Sequence, residues 1–199
     1  MSKTYKSILV IVGILIIDQV FKILVKTNMR LGEEVHVIGD WFIIRFIENP
    51  GMAFGIDIPG KFGKLTLSIF RLIAIFGIGY YLHLIIKRNA RLGLIICLSF
   101  ILAGAIGNMI DSAFYGIIFS NSTYTQKAVL FPGNGYEQFF HGRVVDMLYF
   151  PIIKGYYPHW SPFRPGQEFI FFRPIFNISD SAISIGVIWM LLFQKKFFK

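Results

Sequence analysis

Four apolar runs divide this chain, at about residues 7–25, 65–86, 92–110 and 178–193. The first three each approach the roughly 20 residues a helix needs to cross a bilayer. The fourth is shorter as counted, and it is read as beginning as early as the aromatic stretch 169–176. Such runs predict a membrane all-α bundle of four transmembrane helices. The composition agrees: 55% of residues are hydrophobic, 16% are charged and the mean hydropathy is +0.61, too apolar for an ordinary soluble domain. At 199 residues the chain is read as one integral-membrane domain, 1–199. The first run carries Asp18 and Lys22 and lacks a small-residue cleavage site, so it reads as a retained span rather than a leader.

The net charge of +9 raises nucleic acid as a partner, but the placement of the charges argues against it. Lys3, Lys6, Lys87, Arg88, Arg91, Lys195, Lys196 and Lys199 all flank spans on one side, with no acid among them. This is the positive-inside pattern, and it predicts a multi-pass protein of the cytoplasmic (inner) membrane with both termini cytoplasmic. Two long loops, about 26–64 and 111–175, then lie outside. In the first, Gly39-Asp40 splits two β-rich segments into a hairpin that Asn49-Pro50-Gly51 ends. A two-stranded ribbon is marginal alone, so it must lean on helices, the membrane surface or further strands. In the second loop, residues 117–141 are polar and glycine-rich and are expected to form a mobile excursion. Residues 144–172 are aromatic and suit the headgroup layer.

Several polar residues stand where lipid would exclude them. Asp18 and Lys22 share a helix face near the outer end of the first run. Two readings are open: a local ion pair with Lys22 reaching to the interface, or part of a site. Asn108 and Asp111 share a face at the outer end of the third run. An acid at a helix C-terminus opposes the macrodipole, so Asp111 requires a partner such as Lys22, Arg143 or a backbone amide. Asp180 opens the fourth run, where Asn177 and Ser179 offer caps and where the acid also suits a first helical turn. Asp146, after Gly142-Arg143-Val144-Val145, stands in an equally apolar neighbourhood.

These groups, with Asn49, converge at one depth of the membrane and read as a site. Two acids brought close share one proton, because both cannot ionise cheaply. The ionised member takes a proton from water and the other donates one to a carbonyl oxygen, which is amide hydrolysis without a metal. No zinc-binding His-Glu-x-x-His motif, nucleophile elbow or phosphate loop appears, and Cys97 stands alone in an apolar run. No metal or cofactor is expected. A transporter would instead string polar groups through the bilayer, and a purely structural subunit would leave the two acid boxes unexplained.

Five motifs, in order, resemble the signal peptidase II family of membrane aspartyl proteases. They are Asp18-Gln19 with Lys22, Glu48-Asn49-Pro50-Gly51-Met52-Ala53-Phe54-Gly55, Gly107-Asn108-Met109-Ile110-Asp111, Gly142-Arg143-Val144-Val145-Asp146 and Phe176-Asn177-Ile178-Ser179-Asp180. The resemblance implies Asp146 and Asp180 as the catalytic pair. It implies Asn49, Asn108, Asp111, Arg143 and Asn177 as site-shaping groups, with Asp18 and Lys22 as supports. It further implies a small extracytoplasmic antiparallel β-sheet beside the four helices. The implied substrate is a prolipoprotein cut just before a diacylglyceryl-modified cysteine, and globomycin-type peptides are the implied inhibitors. Membrane lipids are the implied surroundings, and a monomer is expected. Ser112 departs from the family, which usually has arginine there; two readings are open, that Arg143 supplies the missing charge or that the site works without it. The length of residues 117–141 is a second departure.

Overall fold

The first apolar run folds as one helix, α1 (Lys3–Asn28), whose buried residues are Ser7, Asp18, Lys22, Val25 and Lys26. Ile8, Leu9, Val12, Ile16, Ile17, Val20 and Phe21 face outward. A helix that hides its charges and shows its aliphatic side chains is built for lipid, the inverse of a soluble amphipathic helix. In this computed structural model the described residues are 1–50, 61–162 and 164–197, without the side chains of 61–64. The motif residues 51–55 and Lys199 therefore lie outside them.

After α1, β1 (Glu34–Ile38) and β2 (Phe42–Asn49) form the hairpin expected around Gly39-Asp40. Helix α2 (Lys61–Lys87) and helix α3 (Leu92–Ile110) follow. The third run does not stop at Asp111. A π-helical turn, Asp111–Tyr115, and a short α4 (Gly116–Ile118) continue it, so the apolar helix spans Leu92–Ile118. Lys3–Asn28, Leu65–Lys87 and Leu92–Ile118 are each long and apolar enough to cross a membrane. Helix α3 is the central one, packing on α1 and α2 and on the last long helix, α5 (Ile178–Leu192). Fifteen residues in α5 rise about 22 Å, short of the roughly 30 Å hydrocarbon layer. The aromatic stretch expected to lengthen that span forms strands instead. Strands β4 (Ile153–Tyr156) and β5 (Glu168–Phe171) pair with each other, and β6 (Ile175–Phe176) joins the main sheet. A four-residue helix, α6 (Gln194–Phe197), ends the described chain.

Strand β3 (Val144–Tyr149) completes a four-stranded sheet in the order β1-β2-β3-β6. The hairpin thus leans on further strands, and the register sets Ile47 against Asp146 and Asn49 against Val144. On the other edge Leu148 pairs with Phe176, one residue before Asn177. The sheet therefore ties together Asn49, Asp146 and the start of α5.

Close helix contact needs small residues in the absence of a hydrophobic drive between helices. Gly104 and Gly107 of α3 provide it. A Cβ on Gly104 would overlap the Ser179 carbonyl oxygen, and one on Gly107 would overlap the Ser179 hydroxyl and stand 2.8 Å from Asp18 Oδ2. At the opposite end, Ser7 Oγ meets Ser99 Oγ at 2.7 Å, and Lys3 Nζ binds Asn89 and Ala90 in the turn between α2 and α3.

Residues 117–141 are not the loose excursion their composition predicts. Phe119, Ser122 and Ala128 are buried, and Phe119 bridges to Leu130. Lys26, fully buried, forms an ion pair with Glu48, bonds Ser122 Oγ at 2.9 Å and sits over the rings of Phe119 and Tyr136. One buried lysine, with aromatic faces and one carboxylate as its counterparts, fastens the segment to α1 and β2.

Candidate active site

Polar residues from each of the five motifs meet where α1, α3, β2, β3 and the start of α5 come together. Lys22 is the hub. Its Nζ lies 2.9 Å from Asp18 Oδ2, 2.9 Å from Asp111 Oδ2 and 2.9 Å from Asn108 Oδ1. All three charged side chains are fully buried, so Lys22 does not reach to the interface. Gln19 closes the circle, donating to Asp18 Oδ2 at 3.1 Å and Asp111 Oδ1 at 3.0 Å while accepting from the Tyr115 hydroxyl at 3.1 Å.

Each of these two acids then grips the backbone amide beside one of the other two. Asp111 Oδ2 accepts from Val145 N at 3.1 Å, and Asp18 Oδ1 accepts from Ser179 N at 2.8 Å. Asp146 and Asp180 are the very next residues. The π turn, which widens the helix by one residue, carries both Asp111 and Tyr115 into this network. Buried carboxylates paired with one lysine and with amides are fixed in place, because any movement would strand a charge in a dry interior. Of the partners foreseen for Asp111, Lys22 and a backbone amide are present. Arg143 is not: it pairs with Glu48 Oε2 at 3.0 Å and Asn121 Oδ1 at 3.1 Å, outside the cavity described next.

Asp146 and Asp180 both line one cavity of about 780 Å³. Two asparagines connect them. Asn177 Nδ2 donates to Asp146 Oδ1 at 2.7 Å and to Asn108 Oδ1 at 3.1 Å, and Asn108 Nδ2 donates to Asp180 Oδ1 at 2.8 Å. Asn177 also caps α5, accepting from Asp180 N at 2.8 Å while Asp180 Oδ2 accepts from Asn177 N at 3.3 Å. The capping reading of Asp180 therefore holds: the box fixes the backbone and one carboxylate oxygen, and the side chain still borders the cavity. Ser179, the other residue offered as a cap, is buried, and its Oγ has no hydrogen-bond partner among the described residues.

Asn49 reaches the site from the end of β2, lining the cavity and hydrogen-bonding Asp146. Burial, and then the charge of Asp180, push the Asp146 carboxyl up to about 7 against its ordinary 3.8, with the bonds from Asn177 and Asn49 pulling the other way. The polar lining of the cavity also includes Arg71, Ser181 and Ser184. Its other lining residues are Val144, Phe172, Pro174, Ile175, Phe176, Ile183, Ile185 and Ile188, so it is an apolar trough along one face of α5 that includes the two acids. Arg71 and Tyr115 are the members that lie outside the five motifs, and Gln19, inside the first, was given no role there. A basic residue inside an apolar run was the available signal for Arg71.

A family model described as signal peptidase (SPase) II matches residues 10–196. A lipoprotein signal peptidase of Porphyromonas gingivalis is 56% identical over 185 residues, which is 92% of this chain and 79% of that protein. Another, from Amoebophilus asiaticus, is 38% identical over 180 residues, covering 89% of this chain and 72% of its own. Among solved structures, a bacterial membrane enzyme at 2.3 Å resolution superposes with a TM-score of 0.62 at 27% identity, covering 96% of this chain and 88% of that one. The chain belongs to the signal peptidase II family: it is an aspartic protease of the lipoprotein signal peptidase type, a multi-pass membrane enzyme that removes signal peptides from prolipoproteins.

Proposed function

We propose that Asp146 and Asp180 are the catalytic pair of this peptidase. The observation that carries this reading is their shared cavity, in which Asn177 and Asn108 join one carboxylate to the other. The pair holds one proton between two acids, and the upward pressure on Asp146 favours that side for the proton near neutral pH. Asp180 takes a proton from a water molecule, whose oxygen attacks the scissile carbonyl carbon. Asp146 gives its proton to the carbonyl oxygen. The tetrahedral intermediate then collapses: the C–N bond breaks as Asp180 passes its proton to the amine nitrogen, and Asp146 recovers a proton from a hydroxyl of the intermediate as the new carboxyl group forms. Asn49, Asn108 and Asn177 hold the two carboxylates, while Asp18, Asp111 and Lys22 hold the strands and helix that carry them. Arg143 shapes the site at one remove, through Glu48.

The substrate is the prolipoprotein whose cysteine already bears diacylglycerol, cut just before that cysteine. An apolar trough along α5 suits lipid or an apolar signal segment, and it includes the two acids. A short α5 with Asp180 in its first turn supports a site at the outer rim of the bilayer. The basic flanks support an inner-membrane protein with four spans in one membrane-embedded unit, both termini cytoplasmic and the acids on the outer face. The protein acts as a monomer, without metal or cofactor, and globomycin-type peptides fill the trough and block the pair. The test is cleavage of a purified diacylglyceryl-modified precursor with and without such a peptide. Release of the signal peptide, abolished by the inhibitor, is expected; a precursor left intact by a folded enzyme would overturn the reading.

A further inference from the structure

The cavity contains a cation that none of the five motifs includes. Arg71, from α2, lines it together with Asp146 and Asp180. Its Nη1 lies 3.5 Å from Ser112 Oγ, the hydroxyl that stands where the family usually has arginine. Ser112 in turn donates to the Asn108 carbonyl at 3.1 Å, which leaves its oxygen lone pairs toward Arg71. The other basic groups nearby are already engaged: Lys22 by Asp18 and Asp111, Lys26 by Glu48, and Arg143 by Glu48. Among the described residues no carboxylate lies within ion-pair distance of Arg71, although the charges of Asp180, Asp146 and Asp111 act on it.

A guanidinium carries five N–H donors in a planar fork and cannot shed its charge. In a largely apolar trough it needs acceptors. A precursor seated against the two acids brings them, as the carbonyl oxygens of its peptide bonds and of the diacylglyceryl esters. We infer that Arg71 is a substrate-binding residue, donating to carbonyl oxygens of the lipidated precursor and supplying from the second span the positive charge that the family usually places at position 112. Ser112 steers the guanidinium. The inference rests on the catalytic reading of Asp146 and Asp180.

The experiment uses the full chain in lipid nanodiscs with a diacylglyceryl-modified precursor, measuring kcat and KM separately and checking each variant by thermal unfolding. Arg71→Gln is expected to lower kcat/KM by about 10–100-fold, mainly through KM, the size of a lost charge-assisted hydrogen bond. Arg71→Lys recovers part of the loss. The double variant Arg71→Gln/Ser112→Arg recovers most of it, which a merely structural role for Arg71 would not allow. Should Arg71→Gln fail to fold, Ser112→Ala still tests the steering and is expected to raise KM a few-fold. A precursor with ether-linked chains identifies the acceptor: a penalty that persists assigns the peptide carbonyls, and one that disappears assigns the esters. Wild-type kcat/KM in folded Arg71→Gln, or a loss that neither lysine nor the relocated arginine repairs, would overturn the inference. Asp146→Asn and Asp180→Asn run alongside; if they still cut, it is the catalytic reading that fails.

Discussion

Replacing Asp146 by Asn removes one proton site while keeping the shape and the acceptor that Asn177 uses, and its effect on stability has a definite sign. The folded protein holds the Asp146 carboxyl at about 7, against 3.8 for an ordinary aspartate. A carboxyl raised on folding contributes its full stability below pH 3.8, where both states are protonated, and loses it as pH climbs toward 7. At about 1.4 kcal/mol per tenfold change in proton affinity, the loss is about 4 kcal/mol across that window. Asp146 is only 5% exposed, so solvent screening offers little relief. Asparagine has no such proton to lose. The stability of Asp146→Asn relative to the parent is therefore expected to rise by about 4 kcal/mol between pH 4 and pH 8. Denaturant or thermal unfolding in detergent at several pH values measures it. The parent's kcat/KM should fall over the upper part of the same range, as the pair loses its shared proton. A stability difference that stays flat with pH, or parent activity undiminished well above pH 7, would refute the reasoning.

Three further substitutions probe the frame. Glu48→Ala leaves Lys26 buried without its carboxylate and should cost about 3–5 kcal/mol, read by unfolding, while lowering cleavage because Asn49 follows directly. Ser179→Ala removes a buried hydroxyl with no partner among the described residues, so a gain of about 1 kcal/mol with full cleavage is expected. Gly107→Ala places a Cβ against Ser179 Oγ and Asp18 Oδ2; a cost of about 1–3 kcal/mol and weaker cleavage should follow, partly relieved when Ser179→Ala is added.

The helices and the convergence of charge were legible because lipid imposes a simple rule: apolar runs of sufficient length, and no charge without a use. Asp18, Lys22, Asn108, Asp111, Asn177 and Asp180 stood out for that reason. The way they join did not. That Asp18 and Asp111 hold the amides preceding Asp180 and Asp146 depends on the packing of α3 on α5 and on a π turn, neither of which has a local sequence period. Residues 117–141 misled because glycine and polar residues signal looseness only when nothing buried requires them, and here Lys26 and Glu48 do. Arg143 was placed at the site by the family resemblance and by the serine at position 112. Arg143 precedes β3, and its guanidinium pairs with Glu48 instead.

The most direct test of the catalytic pair is mass spectrometry of a diacylglyceryl-modified precursor after incubation with the purified parent, Asp146→Asn and Asp180→Asn proteins, each verified as folded. The parent should release the signal peptide and leave a product beginning at the lipidated cysteine, and neither variant should release it. Cleavage at the parent's rate by either variant would remove that aspartate from the chemistry.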